Sequence, residues 1–129
     1  MDELSASIYA IKKALLKSWS MKSSSKWQEH NPANGQCGVT ALVINDLLGG
    51  EIKKTKLPNG WHFYNVINGI RYDFTDSQFK EAIEYMDQAS NWQEAFNDTN
   101  ESQYSYLKQQ VYLHLQQTDI EGLRQWREL

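Results

Sequence analysis

Hydrophobic residues recur at intervals of three and four positions near the beginning of the chain. The members of this stripe are Leu4, Ile8, Ile11, Leu15 and Trp19. Such spacing places them on one face of a helix. The pattern therefore predicts an amphipathic α-helix from about Asp2 to Ser18 that packs on the rest of the protein.

A second stretch, GVTALVINDLL, is apolar on nearly all sides and follows the only cysteine of the chain, Cys37. We predict a helix from about Gln36 to Leu48, and we expect it to be buried because it has little polar surface. Gly49 and Gly50 come directly after it. Glycine favours the left-handed conformation in which helices commonly end, so the helix should stop there.

The middle of the chain predicts three strands. The sequence EIKKTKL, residues 51–57, alternates enough for a short strand, and PNG then forms a turn. The sequence WHFYNVINGIRYDFT, residues 61–75, predicts two strands joined at Asn68 and Gly69. An Asn-Gly pair tolerates the positive φ angles of a two-residue type I′ turn, which makes this the strongest hairpin signal in the sequence.

Helical signals return after the hairpin. The sequence TDSQFKEAIEYM, residues 75–86, predicts a third helix, with Thr75 or Asp76 as its N-cap and Gln78 completing a capping box with Thr75. Residues 102–117 predict a further helix.

The remaining segments complete the predicted architecture. Residues 119–129 should form the last helix, and residues 20–35 and 89–102 should be surface connections. The order of helices and strands predicts a single α+β domain over residues 1–129, with an antiparallel sheet.

Composition and charge narrow the range of functions. The chain has 129 residues, of which 40% are hydrophobic and 22% charged, with a net charge of -3 and a mean hydropathy of -0.68. An acidic chain without a basic cluster is not typical of nucleic-acid-binding proteins, so we expect no nucleic-acid partner. No apolar stretch has the length of a membrane span, and the first residues do not resemble a signal peptide. We therefore expect a cytoplasmic protein without a membrane partner.

The predicted hairpin places a histidine beside an aspartate. With a two-residue loop at Asn68 and Gly69, Tyr64 lies opposite Asp73. Side chains alternate between the two faces of a strand, so His62 and Asp73 share a face as diagonal neighbours. Diagonal positions lie roughly 7–8 Å apart at the backbone, within reach of a hydrogen bond between imidazole and carboxylate. The pattern predicts His62 as a base and Asp73 as its orienting acid.

Cys37 is the candidate nucleophile for this pair. A single cysteine cannot form an internal disulfide, which fits a reducing compartment and leaves the thiol for packing or for chemistry. The start of a helix favours negative charge, and an adjacent imidazolium favours it further. We therefore expect a lowered thiol pKa and an activated nucleophile at Cys37.

Four further residues are candidates for contacts with a substrate. The backbone N–H of Cys37 at the helix start can donate to an oxyanion, and the side-chain amide of Gln36 can supply a second donor, with Gln28 in reserve. Trp61 precedes His62, and Tyr64 shares the predicted site face. We expect these two aromatic side chains to stack on or shield a substrate in a partly apolar cleft.

Together these motifs resemble a known catalytic core. A G-x-C sequence at a helix start, a Gly-Gly stop, His on one strand and Asp on the next are similar to the Cys-His-Asp core of papain-like and transglutaminase-like proteins. The sequence YDFT resembles the Asp-x-Thr ending of the transglutaminase-like core. More closely, GQC, TALV, LGGEI and RYDFT, between Trp27 and Phe79, resemble the YunG-like family of small bacterial proteins, whose function is not established.

The resemblance implies a papain-like fold, in which a buried Cys-bearing helix packs on a small antiparallel sheet with helices at both ends. It implies Cys37 as nucleophile, His62 as general base and Asp73 as orienting acid, and it brings no substrate. One position departs from papain: Asn31 stands at the spacing where papain carries a glutamine ahead of its cysteine.

These considerations predict a cysteine hydrolase or acyltransferase. It would act on a peptide, amide or thioester through an acyl-enzyme on Cys37, and such a reaction requires no metal or organic cofactor. The substrate, the oligomeric state and the choice among peptidase, amidase, deamidase and acyltransferase are not encoded in these residues.

Other interpretations of the same residues are open. Cys37 can be a buried core residue, His62 a polar residue at a strand start, and Asp73 a partner of Arg71 or a helix cap. The protein would then be a non-catalytic binding or regulatory module. A third possibility is a redox sensor that forms mixed disulfides through Cys37, although the chain has no second cysteine to resolve them.

Overall fold

The described part of the chain forms four α-helices and a four-stranded sheet. The computed structural model describes residues 3–118, and their side chains from residue 5 to residue 116. In chain order the elements are α1 (Glu3–Ser18), α2 (Cys37–Leu48), β1 (Glu51–Leu57), β2 (Gly60–Ile67), β3 (Ile70–Tyr72), a short 3-10 helix (Asp76–Gln78), β4 (Gln88–Ala89), α3 (Trp92–Phe96) and α4 (Glu101–Thr118). The predicted α+β class is confirmed.

The sheet is antiparallel, with the strand order β3-β2-β1-β4. The hairpin between β2 and β3 has the predicted register, with Ile67 opposite Ile70 and Asn65 opposite Tyr72. Asn68 and the glycine that follows it have φ angles of 53° and 77°, as a type I′ turn requires. Local turn chemistry therefore fixes which side chains of β2 and β3 share a face.

The core forms where α2 packs on one face of the sheet. Nine of the twelve residues of α2 are buried, as expected from its apolar sequence. Its residues join two apolar clusters, one with α1, α4 and the end of β2, and the other with β1, β2 and α3. The side chain of Asn65 also donates a hydrogen bond to the Ala41 carbonyl, at 3.0 Å. The helix that begins at Cys37 is therefore held in place by α1, α3, α4 and the sheet.

The predicted helix over residues 75–86 is wrong. Only Asp76–Gln78 are helical, as a 3-10 turn, and residues 79–87 have no regular structure. The expected capping box is also absent, because the side chain of Gln78 donates to the Thr75 carbonyl and Thr75 makes no side-chain cap. We refer to residues 79–87 as the strap, because they run across the sheet face opposite α2.

Contacts with the sheet explain why the strap is not helical. Its anchors are the Phe79 ring on His62, the Tyr85 hydroxyl on Asp73, the Met86 N–H on Thr55, and the Asp87 carboxylate on Tyr64 and Arg71. A helix could not present these groups to one sheet face at the same time. Helix propensity amounts to only tenths of a kcal/mol per residue, so tertiary contacts of this kind readily outweigh it.

The connection predicted over residues 89–102 contains regular structure. Ala89 ends β4, and the segment continues into α3, whose N-cap Asn91 accepts a hydrogen bond from the Glu94 N–H at 2.9 Å. Ala95 is fully buried against α2 and the sheet. Residues 20–35 form turns, as predicted, and the helix predicted over residues 119–129 lies outside the described residues.

Leu15 and Leu16 provide a matched test of this packing. They are neighbours on α1, and their exposed fractions are 0% and 59%. Leu15→Ala should lower the free energy of unfolding by about 2–5 kcal/mol, because it leaves a cavity in the core. Leu16→Ala should change it by less than about 0.5 kcal/mol. Urea unfolding followed by tryptophan fluorescence measures both values, and equal losses would contradict the described packing of α1.

Candidate functional site

His62 and Asp73 form a buried pair on the sheet face opposite α2. The Nε2 atom of His62 lies 2.7 Å from Oδ2 of Asp73, and the two side chains are 2% and 4% exposed. Asp73 follows directly after β3, so the strand register sets this contact, as predicted. An ionised carboxylate only accepts hydrogen bonds, so Nε2–H of His62 is the donor.

Asp73 is held by two further residues. The Tyr85 hydroxyl donates to the same Oδ2 atom at 2.7 Å. The other oxygen, Oδ1, accepts from the backbone N–H of Thr75 at 3.2 Å and from its hydroxyl at 3.4 Å. Desolvation and the bond to Asp73 raise the pKa of Tyr85, which keeps its hydroxyl protonated as a donor. The carboxylate is therefore fixed in orientation by groups from both sides.

The second nitrogen of His62 has no partner. Nδ1 is buried and makes no hydrogen bond, while the ring stands edge-on to Phe79 with centroids 5.0 Å apart. Because Nε2 carries the hydrogen that it donates in the hydrogen bond to Asp73, Nδ1 of a neutral ring has a free lone pair. A buried nitrogen without a partner is costly in a folded protein, so it suggests a function.

Cys37 begins α2, as predicted, and its thiol contacts an aspartate that the sequence did not indicate. Sγ lies 3.6 Å from Oδ2 of Asp98, and the same oxygen accepts a hydrogen bond from the Gly38 N–H at 3.2 Å. Asp98 lies between α3 and α4. A backbone hydrogen bond from Phe63, the neighbour of His62 on β2, also reaches the thiol. The thiol therefore lies beside the segment of β2 that carries His62.

The thiol pKa is not lowered, and the expectation of a preformed thiolate is wrong for this conformation. Burial and the charge of Asp98 together raise the pKa of Cys37 to about 12, although the Phe63 hydrogen bond acts in the opposite direction. The start of α2 does favour negative charge, but the Asp98 carboxylate already occupies that position. Cys37 therefore carries its proton in this state.

The Asp98 carboxyl responds to the same surroundings. Its removal from solvent against α2 raises its pKa, although Asp98 as a residue is exposed. Hydrogen bonds from Cys37 and Gly38 and the nearby charge of Lys26 act to lower the pKa of Asp98, and a protonated His62 would act in the same direction. These influences show that Asp98, Cys37 and His62 belong to one electrostatic cluster.

Gln36 fits the predicted role of oxyanion donor in one respect. Its side chain is fully buried directly before Cys37, and neither Nε2 nor Oε1 has a hydrogen-bond partner. A buried amide of this kind is available to a ligand. The assignment of Gln36 stays a prediction, and Gln28 is exposed in the turns before α2.

The two predicted aromatic contacts differ in accessibility. Trp61 is 38% exposed on β2, with the amines of Lys54 and Lys56 over its ring at 4.3 and 5.3 Å from the centroid. Tyr64 is only 2% exposed, and its hydroxyl is hydrogen-bonded to Thr55 and Asp87. Trp61 can therefore meet a substrate, whereas Tyr64 offers it no surface in this structure.

Cavities and charge clusters add little to this site. Two surface cavities lie elsewhere, one lined by β1, β4 and the start of α3, and the other by the strap and Asp76. Within residues 3–118, no group of three or more His, Cys, Asp and Glu side chains could hold a metal ion. No helix in that range is long and apolar enough to cross a membrane.

Sequence reasoning missed Asp98 and Tyr85. Asp98 lies in a segment predicted to be a plain surface connection, and Tyr85 in one predicted to be helical. Their contacts depend on how α3 and the strap pack on the rest of the protein. No short motif in the chain encodes those arrangements.

Comparisons with known proteins bear on the family and leave the reaction open. A family model described as YunG protein matches residues 7–116. The chain is 54% identical over 105 residues to a protein of Bacillus subtilis (strain 168) described as uncharacterized protein YunG, covering 81% of this chain and 91% of that protein. No solved structure matches significantly. The structure therefore supports the α+β class, whereas no matching solved structure supports a papain-like architecture.

Replacing Asp98 should make the thiol more reactive. Asp98→Asn removes a negative charge beside Sγ, so the thiol pKa should fall and the thiolate fraction should rise. Because the rate follows the thiolate fraction, alkylation of Cys37 by iodoacetamide at about pH 8 should be roughly tenfold faster for each pKa unit lost.

Asp76→Asn is the matched control for this experiment. It removes the same charge from an exposed residue that makes no contact with the thiol, so its alkylation rate should equal that of the wild type. Mass spectrometry of the intact protein measures each rate. An Asp98→Asn rate at or below the wild-type rate would show that Asp98 does not hold the proton on Cys37.

Proposed function

We propose a catalytic function for this chain, which belongs to the YunG family: a cysteine hydrolase or acyltransferase acting on an amide or thioester. Cys37 is the nucleophile, His62 the general base and acid, and Asp73 the residue that orients His62. This is the chemistry of papain-like and transglutaminase-like proteins, here on an α+β domain. A free single thiol suits a reducing compartment such as the cytoplasm.

One observation carries the proposal: His62 is held through one nitrogen and has a free lone pair on the other. Asp73 takes Nε2–H at 2.7 Å, while Nδ1 is buried without a partner. A structural histidine would normally use both nitrogens when it is buried. A general base needs this arrangement, because one nitrogen must be free to take a proton while the ring is held in place.

The proposed reaction assigns a step to each of these groups. The Cys37 thiol gives its proton to Nδ1 of His62 as Sγ attacks the carbonyl carbon and forms an S–C bond. The tetrahedral intermediate collapses, the C–N or C–S bond to the leaving group breaks, and His62 returns the proton to the leaving group. A water or amine then attacks the thioester and loses its proton to His62, and the C–S bond to Cys37 breaks so that the acyl group leaves on the new C–O or C–N bond. The thiol regains that proton, so the cycle closes.

The start of α2 supports the intermediate. The backbone N–H of Cys37 lies at the positive end of the helix dipole, and the unpartnered Nε2 of Gln36 is directly before it. Donors fixed in place where negative charge develops typically contribute about 10²–10³ in rate each. The acyl oxygen would lie between these two groups.

Asp98 must move before this chemistry can start. Its carboxylate accepts from Gly38 N–H at the helix start and raises the pKa of the thiol. A thiol with a pKa near 12 is a poor nucleophile until its proton is transferred during attack. In the proposed mechanism this arrangement is a resting state, and the reaction depends on His62 acting as a base at the moment of attack.

A second candidate is a non-catalytic binding module that keeps the same fold. The protonated Cys37 and its contact with Asp98 favour it, because an inert thiol needs no activation. The same raised pKa disfavours a redox sensor, whose cysteine must be a thiolate to be oxidised readily. A reactivity test on Cys37 separates these candidates.

Acyl transfer from a generic donor tests the proposed function. With p-nitrophenyl acetate, Cys37 should acquire an acetyl thioester, which mass spectrometry of peptides locates. His62→Gln should slow acetylation by about 10²–10⁴-fold, because the general base is lost. Cys37→Ala should abolish it while circular dichroism shows an unchanged fold.

His30→Gln is the control for losing a histidine, because His30 is exposed in the turns before α2. Its acetylation rate should match the wild type. Equal acetylation of Cys37 in the wild type and His62→Gln would refute the proposal, as would a wild-type protein that acquires no acetyl group at Cys37.

A further inference from the structure

We propose that the substrate carries a cationic group, an amine or a guanidinium, which pairs with Asp98 next to the bond that Cys37 attacks. This inference rests on the proposed function and names the substrate class of the same site. It starts from the position of one carboxylate, 3.6 Å from the nucleophile. That position determines which charges can approach the thiol.

Within the described residues Asp98 has no cationic partner, unlike the four carboxylates that pair with Lys or Arg. The ion pairs between carboxylates and Lys or Arg are Glu51–Lys53, Glu94–Lys54, Asp87–Arg71 and Asp46–Lys108. In the part of the chain that the structure describes, Asp98 forms no ion pair, and its acceptor bonds come from Cys37 and Gly38. Its charge is therefore available to a ligand.

The position of Asp98 is built into the fold. A Cβ atom on Gly38 would lie 2.5 Å from Oδ2 of Asp98 and 2.9 Å from the Ala95 carbonyl oxygen. Only glycine leaves room for this close approach between the loop after α3 and the first turn of α2. The carboxylate is therefore brought against the nucleophile by backbone packing.

Two buried groups at the same place also lack partners. Both polar atoms of the Gln36 amide are unpaired, and so is Nδ1 of His62. Each belongs to a side chain at least nine-tenths buried, and each flanks Cys37, one in sequence and the other across β2. These are independent signs that a ligand completes the site, because unpaired buried polar groups are rare.

Pairing with a cation would also activate the thiol. A substrate cation would draw the Asp98 carboxylate away from Cys37 and from the Gly38 N–H, and would reduce its effect on the thiol. The start of α2 would then be free to stabilise the oxyanion. The charge of Lys26 also acts on Asp98, although the two residues form no ion pair among the described side chains. The selected substrate would thus remove the contact that keeps the enzyme at rest.

Charged thiol reagents test this inference without knowledge of the substrate. Two methanethiosulfonates of similar size, one bearing trimethylammonium and one sulfonate, react with Cys37 to form mixed disulfides. We expect the cationic reagent to react at least about tenfold faster with the wild type at low ionic strength. The neutral methyl reagent corrects for differences in overall thiol reactivity.

Three variants isolate Asp98 as the source of the preference. Asp98→Asn should reduce the cation-to-anion rate ratio by about tenfold, whereas Asp98→Glu should retain the preference because the charge is kept. Asp76→Asn removes a charge elsewhere and should leave the ratio unchanged. If Asp98→Asn does not fold, adding about 0.5 M NaCl to the wild type should lower the ratio, because charges near the surface are screened.

The outcomes distinguish this inference from the proposed function. Equal rates for the two reagents in the wild type, or an unchanged ratio in Asp98→Asn, would overturn the cationic substrate. If Cys37 is acetylated and shows no charge preference, the proposed function stands without this substrate class. If the preference is present and acetylation is absent, Asp98 selects cations at a thiol that does no acyl transfer.

Discussion

The hydrogen bond between His62 and Asp73 is the interaction on which the rest of the site depends. It joins two strands through a register that the Asn68–Gly69 turn fixes, and it lies in a part of the protein almost closed to solvent. A buried polar pair in such a place is stabilising only when its remaining hydrogen-bonding positions are filled. The strap and the residues after β3 fill those of Asp73. The strap is irregular instead of helical because it makes these contacts, so the conformation of this segment depends on the His62–Asp73 pair.

Cys37, the proposed nucleophile, belongs to the other half of the structure. Cys37 lies at the start of α2, whose apolar sides are buried against the sheet and α4. The sheet thus separates the strap and the His62–Asp73 pair from the core helix, and they approach each other only near the start of β2. Asp98 enters between α3 and α4 and takes the place that a negative charge would occupy. In the proposed mechanism this arrangement keeps Cys37 protonated until a substrate displaces Asp98.

Sequence reasoning succeeded where local chemistry determines geometry. An Asn-Gly turn sets a strand register, and the register alone brings His62 beside Asp73. A long apolar stretch ended by glycines likewise defines α2 and places Cys37 at its start. Sequence reasoning failed for the strap. The periodicity of residues 75–86 favours a helix, but contacts with side chains distant in sequence prevent one. Asp98 could not be predicted either, because it meets a cysteine 61 positions away through the packing of α3 on α2.

A nitrogen NMR spectrum of the His62 side chain tests the central claim most directly. The account requires a base that is held through one nitrogen and free at the other. At neutral pH the spectrum should show a proton on Nε2, hydrogen-bonded to Asp73, and an unprotonated Nδ1. A proton on Nδ1 would contradict the account, because that nitrogen could then not accept the proton of the Cys37 thiol.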